Sequence, residues 1–250
     1  MRFGRGRLRL QAVAGIRCYA SFVERQKIRN ESLVLGRPFH ADAFVAGPKP
    51  TFLMLFFGGS GVSESVYLER LNTIVPIFDR TLESLERTHS FGFVYVTAPF
   101  DVPFLRFPVD PAAADRWNTH VRIELLSAVF ESLPAMRGLP RYTAGYSGGA
   151  PLALAGHHSD AECFGAGLLG ADGLDQAVAV PASWPEPITL YYNRNDNVFH
   201  SNVATIRALE NGRRAACYRQ LPGGHALEDY VQNESFGGLI RRAARTLSAA

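Results

Sequence analysis

Apolar runs of strand length alternate along this chain with segments of helical spacing, and this alternation constrains the fold more than any other feature. The run TFLMLFF at 51–57 is continuously apolar and lies between Pro50 and Gly58, which is typical of a strand buried on both faces. Because parallel strands need a long crossover connection, the alternation predicts a mainly parallel sheet with helices on both faces. Further strands are predicted at 91–99, 142–146, 162–170, 187–193 and 215–221.

Residues 26–46 come before that run and predict one or two short strands around a turn at Gly36-Arg37-Pro38. The segments between the later strands have helical spacing, and no linker or internal repeat divides them, so the sequence predicts a single α/β domain. Helices are predicted at 65–88 with a kink at Pro76, at 110–134, directly after Ser147, at 201–211, and at 226–247 with an interruption near Gly237-Gly238.

The start of the chain differs in charge from the rest. Residues 1–50 carry ten Lys/Arg and three Asp/Glu, a net charge of +7 in a chain whose total is +3. The apolar stretch within residues 1–23 is too short for a secretory signal or a membrane span. The sequence therefore predicts a basic arm over 1–25 and a folded domain over 26–250. An arginine-rich, acid-free start is also typical of an organellar transit peptide, which is the alternative to a cytoplasmic location.

Several classes of function find no support in the composition. Three cysteines without metal-ligand spacing argue against a disulfide scaffold and fit a reducing compartment, so we predict a cytoplasmic protein. No basic stripe with interleaved aromatic residues follows the arm, so nucleic acid is not an expected partner. The glycines at 58–61 lack the Lys-Ser/Thr of a phosphate loop, and His157-His158 has no partner at ligand spacing. We expect no cofactor, metal or transmembrane segment.

One serine lies between glycines where a predicted strand meets a predicted helix. The stretch RYTAGYSGGA at 141–150 fits G-x-S-x-G, with a weak strand before Ser147 and a small-residue helix after it. Glycine tolerates sharp turns and close backbone approach, so this context predicts a turn that presents the serine at the sheet edge. The pattern by itself also fits an ordinary glycine-rich turn.

With its strand and helix, this stretch resembles the nucleophile elbow of the α/β-hydrolase fold superfamily, whose serine esterases and thioesterases use a catalytic triad. The resemblance implies a triad in the chain order serine, acid, histidine. It assigns Ser147 as nucleophile, Asp196 as the acid after the strand at 187–193, and His225 as the base after the last strand. Asp172 and Asp175, which follow the preceding strand, remain alternatives for the acid.

The resemblance also implies an oxyanion hole and an apolar acyl pocket. Backbone N–H groups of Gly148 and of either Gly59 or Ser60 are expected to face the developing oxyanion. The family often has histidine where this sequence has Phe57, so the choice between Gly59 and Ser60 stays open. Four aromatic residues are expected to bind substrate: Phe57, Phe100, Tyr146 and Phe199.

Taken together, the residues and the resemblance predict a single-domain α/β-hydrolase. It would cleave a small-molecule ester or thioester of a small-to-medium apolar acyl group through an acyl-enzyme. The short interval between the strand ending at Gly170 and the one beginning at Pro187 leaves no room for a large lid. An amidase or peptidase with the same triad is an alternative, as is a non-catalytic interaction protein that keeps the fold. The sequence names no protein partner.

Overall fold

An eight-stranded sheet forms the centre of the molecule in a computed structural model, which describes residues 23–59, 80–96, 111–157, 163–172 and 187–249. The strands are β1 (Val23–Ser32), β2 (Arg37–Ala46), β3 (Leu53–Phe57), β4 (Phe91–Val96), β5 (Arg141–Tyr146), β6 (Cys163–Leu169), β7 (Ile188–Asn193) and β8 (Ala216–Leu221). Their order across the sheet is β1-β2-β4-β3-β5-β6-β7-β8.

The sheet is mostly parallel, as the alternation in the sequence predicts. β1 and β2 form an antiparallel hairpin, and β2 pairs antiparallel with β4. Every other pairing, from β4–β3 through to β7–β8, is parallel. The carboxyl ends of six strands therefore meet at one edge of the sheet, where functional loops of such folds lie.

Helices cover both faces of the sheet. Residues 80–86 form α1, and a longer helical segment before β5 divides into α2 (Pro111–Thr119), a π-helical segment (His120–Leu125) and α3 (Leu126–Ser132). A 3₁₀ turn (Ser147–Gly149) leads into α4 (Ala150–His157). The remaining helices are α5 (Phe199–Asn211), α6 (Leu227–Gln232) and α7 (Ser235–Ala249).

Strand β3 shows why the core has two halves. Successive side chains of a strand point to opposite faces, and in β3 both faces are buried. Leu53, Leu55 and Phe57 belong to the cluster that includes residues of α2, α3, α4 and α5. Met54 and Phe56 belong to the opposite cluster, with residues of α1, α6 and α7. Burial of each large apolar side chain stabilises the fold by about 1.5–3 kcal/mol, so this strand anchors both layers.

Aromatic packing fixes helix α7 on the sheet. The ring of Phe236 meets Phe56 at 5.7 Å and Phe93 at 5.2 Å, both at an interplanar angle of 84°. Edge-to-face pairs of this kind are worth about 0.5–1.5 kcal/mol beyond the area that they bury. Since α6 directly precedes α7, this packing also sets the position of α6 beside the carboxyl edge of the sheet.

Two helical predictions need correction. The segment predicted as one helix over 110–134 contains the π-helical segment His120–Leu125, which no sequence pattern indicated. The terminal helix is interrupted at Asn233-Glu234 rather than near Gly237-Gly238, which lie inside α7 and are buried. Glu234 has a φ of +65°, and the Asn233 carboxamide oxygen accepts from the Ser235 backbone N–H at 3.1 Å, so a side-chain cap starts the new helix.

Some predictions fall partly or wholly outside the described residues. These are the arm up to residue 22, the helix start and Pro76 within 60–79, and the loop at 97–110. Strand β1 begins at Val23, and the division into an arm over 1–25 and a domain over 26–250 stays a prediction. β6 and β7 are joined by the short connection 170–187, of which residues 173–186 are not described. Within the described part of the chain, no helix has the length and apolar character to cross a membrane.

Candidate active site

The carboxyl edge of the sheet gathers four of the residues that the sequence singles out. Gly59 follows β3, Ser147 follows β5, Asp196 follows β7 and His225 follows β8. Residues far apart in the chain meet here because parallel strands all end at this edge.

The turn after β5 has the geometry of a presented nucleophile. Ser147 has a φ of +52°, a conformation that costs a non-glycine residue of order 1–3 kcal/mol. A Cβ on Gly145 would lie 2.2 Å from the carbonyl oxygen of Gly149, and one on Gly149 would lie 2.2 Å from that of Phe57. Close backbone approach therefore requires both glycines of the G-x-S-x-G pattern.

A histidine joins the serine to a carboxylate. Nε2 of His225 lies 2.9 Å from Oγ of Ser147, and Nδ1 of His225 lies 2.7 Å from Oδ1 of Asp196. These three residues, here termed the Ser147 cluster, come from three different loops. The imidazole occupies the middle position, so it contacts the hydroxyl with one nitrogen and the carboxylate with the other.

The protonation of the Ser147 cluster follows from its hydrogen bonds. Burial opposes ionisation of Asp196, but hydrogen bonds from His225, Tyr230 and the Val198 backbone N–H outweigh it and hold the pKa of Asp196 below its ordinary value of 3.8. An ionised carboxylate only accepts hydrogen bonds, so Nδ1 of His225 carries the proton. Nε2 is then an acceptor, free to take the hydroxyl proton of Ser147.

Access to the cluster decreases from the histidine to the acid. The side chain of His225 is 24% exposed, Ser147 is 8% exposed and the side chain of Asp196 is 0% exposed. The imidazole is therefore the most exposed group of the cluster, while the carboxylate stays out of water.

A network of hydrogen bonds shapes the turn that carries His225. The Tyr146 hydroxyl donates to the backbone carbonyl of His225, and the two rings lie 5.2 Å apart at 30°. The Asn193 carboxamide donates to the Gly224 carbonyl at 2.8 Å, and Oδ2 of Asp229 accepts from the Gly224 N–H at 2.7 Å. The histidine loop is thus tied to the ends of β5 and β7 and to α6.

Of the residues expected to supply backbone N–H groups to an oxyanion hole, the structure describes Gly59 and Gly148, and both lie beside Ser147. A Cβ built on Gly59 would lie 3.2 Å from Cβ of Ser147, so Gly59 is next to the nucleophile candidate. Gly148 is buried in the 3₁₀ turn that begins at Ser147. Ser60 lies outside the described residues.

Comparison with known proteins rests on structure alone. No protein-family profile matches the sequence, and no curated protein sequence matches it significantly. A ferulic acid esterase superposes with a TM-score of 0.64 at 14% identity, over 91% of this chain and 99% of the esterase. An S-formylglutathione hydrolase from Agrobacterium tumefaciens superposes with a TM-score of 0.60 at 11% identity, over 91% and 97% of the two chains.

A third solved structure is a fluorophosphonate-binding serine hydrolase from Staphylococcus aureus, with a TM-score of 0.54 at 14% identity over 88% of this chain and 96% of the hydrolase. The chain has the α/β-hydrolase fold. At these identities the likeness establishes the fold, and it extends over nearly the full length of all three proteins.

Within this hydrolase fold, the aromatic residues expected to bind substrate have different positions. Phe57 is 0% exposed and packs against Trp117 with ring centroids 5.4 Å apart. Its side chain is enclosed among the described core residues, and its role as a substrate-binding residue stays a prediction. Tyr146 contacts His225 as described above. Phe199 begins α5 and contacts Tyr192 at 5.8 Å between ring centroids.

Phe100 lies outside the described residues, so its role as a substrate-binding residue stays a prediction. The same is true of Asp175, one of the alternative acids. The other alternative, Asp172, is exposed, and its backbone N–H donates to the Ser147 carbonyl at 3.2 Å. The sequence offered three candidates for the acid, and the structure describes Asp172 and Asp196. Asp196 is the one whose carboxylate contacts His225.

Sequence reasoning missed Tyr230, whose hydroxyl donates to Oδ2 of Asp196. No motif marks this tyrosine, because its contact with Asp196 depends on how α6 docks against the end of β7. Among the described residues, no group of three or more His, Cys, Asp or Glu side chains has an arrangement suited to a metal ion.

Proposed function

We propose that this protein is a serine hydrolase that cleaves a carboxylic ester or thioester of a small-to-medium apolar acyl group. One observation carries the proposal: the imidazole of His225 contacts Oγ of Ser147 at 2.9 Å and Oδ1 of Asp196 at 2.7 Å. A serine hydroxyl is a weak nucleophile unless a base takes its proton, and this geometry supplies that base.

Acylation begins when Oγ of Ser147 attacks the carbonyl carbon of the substrate. The hydroxyl proton moves to Nε2 of His225, and the carbonyl oxygen becomes an oxyanion in a tetrahedral intermediate. As the intermediate collapses, the bond to the alcohol or thiol breaks and the leaving group takes the proton from Nε2. An acyl-serine ester remains on Ser147.

Deacylation repeats these steps with water as the nucleophile. A water molecule gives one proton to Nε2 of His225 as its oxygen attacks the acyl carbon. Collapse of the second intermediate releases the carboxylic acid and returns the proton to Oγ of Ser147. The free enzyme is restored, with protons and bonds in balance.

Asp196 acts on the imidazole rather than on the substrate. Its carboxylate accepts a hydrogen bond from the Nδ1–H group of His225, which fixes the tautomer that leaves Nε2 free to act as a base. The negative charge also stabilises the imidazolium that forms in each step. Because the Asp196 side chain is fully buried, water screens this interaction little.

The oxyanion would be bound by backbone N–H groups. Gly148 supplies one, and Gly59 or Ser60 supplies the other, since the loop after β3 passes beside Ser147. Loss of one such donor in an enzyme of this type costs about 2.7–4 kcal/mol of transition-state stabilisation.

Structural likeness favours ester over amide cleavage. The ferulic acid esterase superposes over 99% of its own length, although at 14% identity. The same triad chemistry serves amides, so we state the ester as the proposed substrate and test the amide beside it.

Labelling with a fluorophosphonate probe, followed by mass mapping of the adduct, tests the proposal directly. We expect one adduct on Ser147, because only an activated serine attacks the phosphorus centre at a useful rate. Folded protein that is not labelled would contradict the serine-hydrolase proposal and favour the non-catalytic interaction protein.

Turnover of p-nitrophenyl esters, acyl thioesters and acyl anilides of matched chain length would then identify the scissile bond. We expect the ester or thioester to be cleaved with the highest kcat/KM. A higher kcat/KM for the anilides would replace the ester proposal by an amidase.

A further inference from the structure

The second carboxylate oxygen of Asp196 has a partner that the triad chemistry does not require. Oδ1 accepts hydrogen bonds from Nδ1 of His225 at 2.7 Å and from the Val198 backbone N–H at 2.8 Å. Oδ2 accepts from the hydroxyl of Tyr230. The carboxylate is therefore held from both sides, with the oxygen that serves the histidine fixed in direction.

Tyr230 is itself held in place. It is 0% exposed, and its hydroxyl oxygen accepts the backbone N–H of Asn193, the last residue of β7, at 3.3 Å. Its ring packs against Tyr146 at 5.8 Å and 61°, and Tyr146 in turn contacts His225. The hydroxyl thus connects a strand end to the carboxylate within a packed environment.

The chain leaves room for this contact at Gly170, directly after β6. Gly170 has a φ of +50°, and a Cβ built there would lie 2.4 Å from the hydroxyl oxygen of Tyr230 and 2.8 Å from Oδ2 of Asp196. Either distance is shorter than a carbon atom tolerates. A residue with a side chain at 170 would therefore push the hydroxyl and the carboxylate apart.

The hydroxyl of Tyr230 keeps its proton. Burial raises the pKa of Tyr230, and the hydrogen bond to Asp196 and the charge of its carboxylate raise it further. Tyr230 is thus a permanent donor, and Asp196 is a permanent acceptor at neutral pH.

We propose that Tyr230 is a positioning residue that fixes the carboxylate of Asp196 in the rotamer that faces His225. Tyr230 acts through Asp196 and touches no reacting atom. The inference rests on the proposed function for its effect on rate, but the contact itself is independent of turnover. Without the hydroxyl, Oδ2 is buried without this donor, and the carboxylate loses one of the three hydrogen bonds described above.

The test compares Tyr230→Phe with Tyr142→Phe. Tyr142 is also fully buried, and its hydroxyl donates to the Ala166 carbonyl at 2.9 Å. Each variant removes one buried hydroxyl, and only the first removes it from Asp196. Carboxyl ¹³C NMR titration would measure the pKa of Asp196, and ester hydrolysis would measure kcat and KM.

For Tyr230→Phe we expect a higher pKa of Asp196 and a kcat lower by about ten- to a hundred-fold, the range for hydrogen bonds to charged groups, with little change in KM. Tyr142→Phe should leave both quantities as in the wild type. In an Asp196→Ala background, Tyr230→Phe should lower kcat no further, because the carboxylate through which Tyr230 acts has been removed. An unchanged pKa of Asp196 in Tyr230→Phe would overturn the inference, and in the active enzyme so would an unchanged kcat.

The two proposals fail in different ways. If the wild-type protein neither hydrolyses esters nor reacts with fluorophosphonate, the proposed function is wrong, and the pKa of Asp196 in Tyr230→Phe still decides the inference.

If Tyr230→Phe does not fold, Gly170→Ala displaces the same contact. Its matched control is Gly138→Ala, because Gly138 has a φ of +73° and no atom within 4 Å of a built Cβ. We expect Gly170→Ala to lower kcat at least ten-fold more than Gly138→Ala does. Equal kcat values for the two alanine variants would contradict the inference.

Discussion

Within the described part of the chain, two arrangements bring a serine, a histidine and a carboxylate together, and they differ in what they can do. The Ser147 cluster lies at the carboxyl edge of the sheet. The second arrangement, here termed the Glu124 cluster, consists of Ser32 at the end of β1 with His120 and Glu124 in the π-helical segment. Both clusters hold the residue types of a hydrolytic triad.

The order of the hydrogen bonds separates the two clusters. In the Ser147 cluster the imidazole lies between hydroxyl and carboxylate. In the other, the carboxylate of Glu124 lies in the middle: it accepts from the Ser32 hydroxyl, from Nδ1 of His120 at 2.8 Å, and from the backbone N–H groups of Leu33 at 2.8 Å and Val34 at 3.2 Å. The serine here faces a carboxylate instead of an imidazole nitrogen.

The proton chemistry differs accordingly. Burial acts to raise the pKa of Glu124, but its hydrogen bonds outweigh burial and hold that pKa below the ordinary value of 4.5. Such a carboxylate is a weak base, so the hydroxyl of Ser32 is not activated. Nε2 of His120 is buried with no hydrogen-bond partner among the described residues, so this nitrogen receives no serine proton either.

Access also differs. The side chain of His120 is 0% exposed and that of His225 is 24% exposed. The Glu124 cluster ties the β1–β2 turn to the helical layer with a buried imidazole, whereas in the Ser147 cluster the imidazole is partly exposed. The order of the hydrogen bonds and the exposure of the histidine, more than residue types, therefore distinguish the Ser147 cluster from the Glu124 cluster.

Replacement of the two serines should give the largest contrast. Ser147→Ala is expected to lower kcat by about five to six orders of magnitude, because the nucleophile is lost, and to abolish fluorophosphonate labelling. Ser32→Ala is expected to leave kcat within about two-fold and to lower the free energy of unfolding by about 1–3 kcal/mol, since a buried hydrogen bond is lost. Ester hydrolysis and urea denaturation measure these effects. Near-wild-type activity of Ser147→Ala would reverse the assignment.

Replacement of the acids should give the next largest effect. Asp196→Asn is expected to lower kcat by about three to four orders of magnitude, because the amide no longer selects the tautomer with a free Nε2 on His225. Glu124→Gln should lower thermal stability with little effect on kcat. Asp172→Asn, at an exposed carboxylate, is the control within the site. A large loss of kcat in Asp172→Asn, with activity retained in Asp196→Asn, would move the acid to the loop after β6.

The smallest effect concerns pH and stability. Burial lowers the pKa of His120 below its ordinary value of 6.5, although Glu124 favours its protonation. The unfolded chain therefore binds more protons than the folded chain as pH falls below about 6.5, and stability decreases. Depressed carboxylate pKa values at Glu124 and Asp196 add a further loss below about pH 4.5.

His120→Gln should remove part of the decline in unfolding free energy between pH 7 and pH 5. The pKa of His89 is also lowered, chiefly by burial and then by Arg241 and Arg245, so a smaller decline remains. Denaturant titrations at each pH measure the slope, and an unchanged slope in His120→Gln would contradict the expected contribution.

Much of the fold could be predicted because its signals are local. Alternating strand and helix patterns indicated the parallel sheet, and β3 is buried on both faces as its continuous apolar run suggested. The break before α7 was predicted at Gly237-Gly238, because glycine disfavours helix interiors. It lies at Asn233-Glu234 instead, where the Asn233 side chain accepts from the Ser235 backbone N–H. The π-helical segment had no signal in the local pattern; within it, Glu124 contacts His120 and accepts from the backbone N–H of Leu33 in the distant β1–β2 turn.

In the candidate site, only residues that come directly after a predicted strand could be predicted from the sequence. Ser147, Asp196 and His225 were singled out by their places after β5, β7 and β8, and the structure brings all three together. Strand pattern alone does not reveal that the side chain of Phe57, at the end of β3, packs against Trp117, and its role in substrate binding stays a prediction.

The sequence by itself determined the layered α/β architecture and the order of the candidate triad along the chain. Hydrophobic periodicity and glycine spacing act over a few residues, so they can be read without knowing the fold. Only the tertiary structure decided that Ser147 contacts an imidazole whereas Ser32 contacts a carboxylate, and that Tyr230 donates to Asp196. Such contacts join residues far apart in the chain, and the way the helices pack on the sheet decides which side chains face each other.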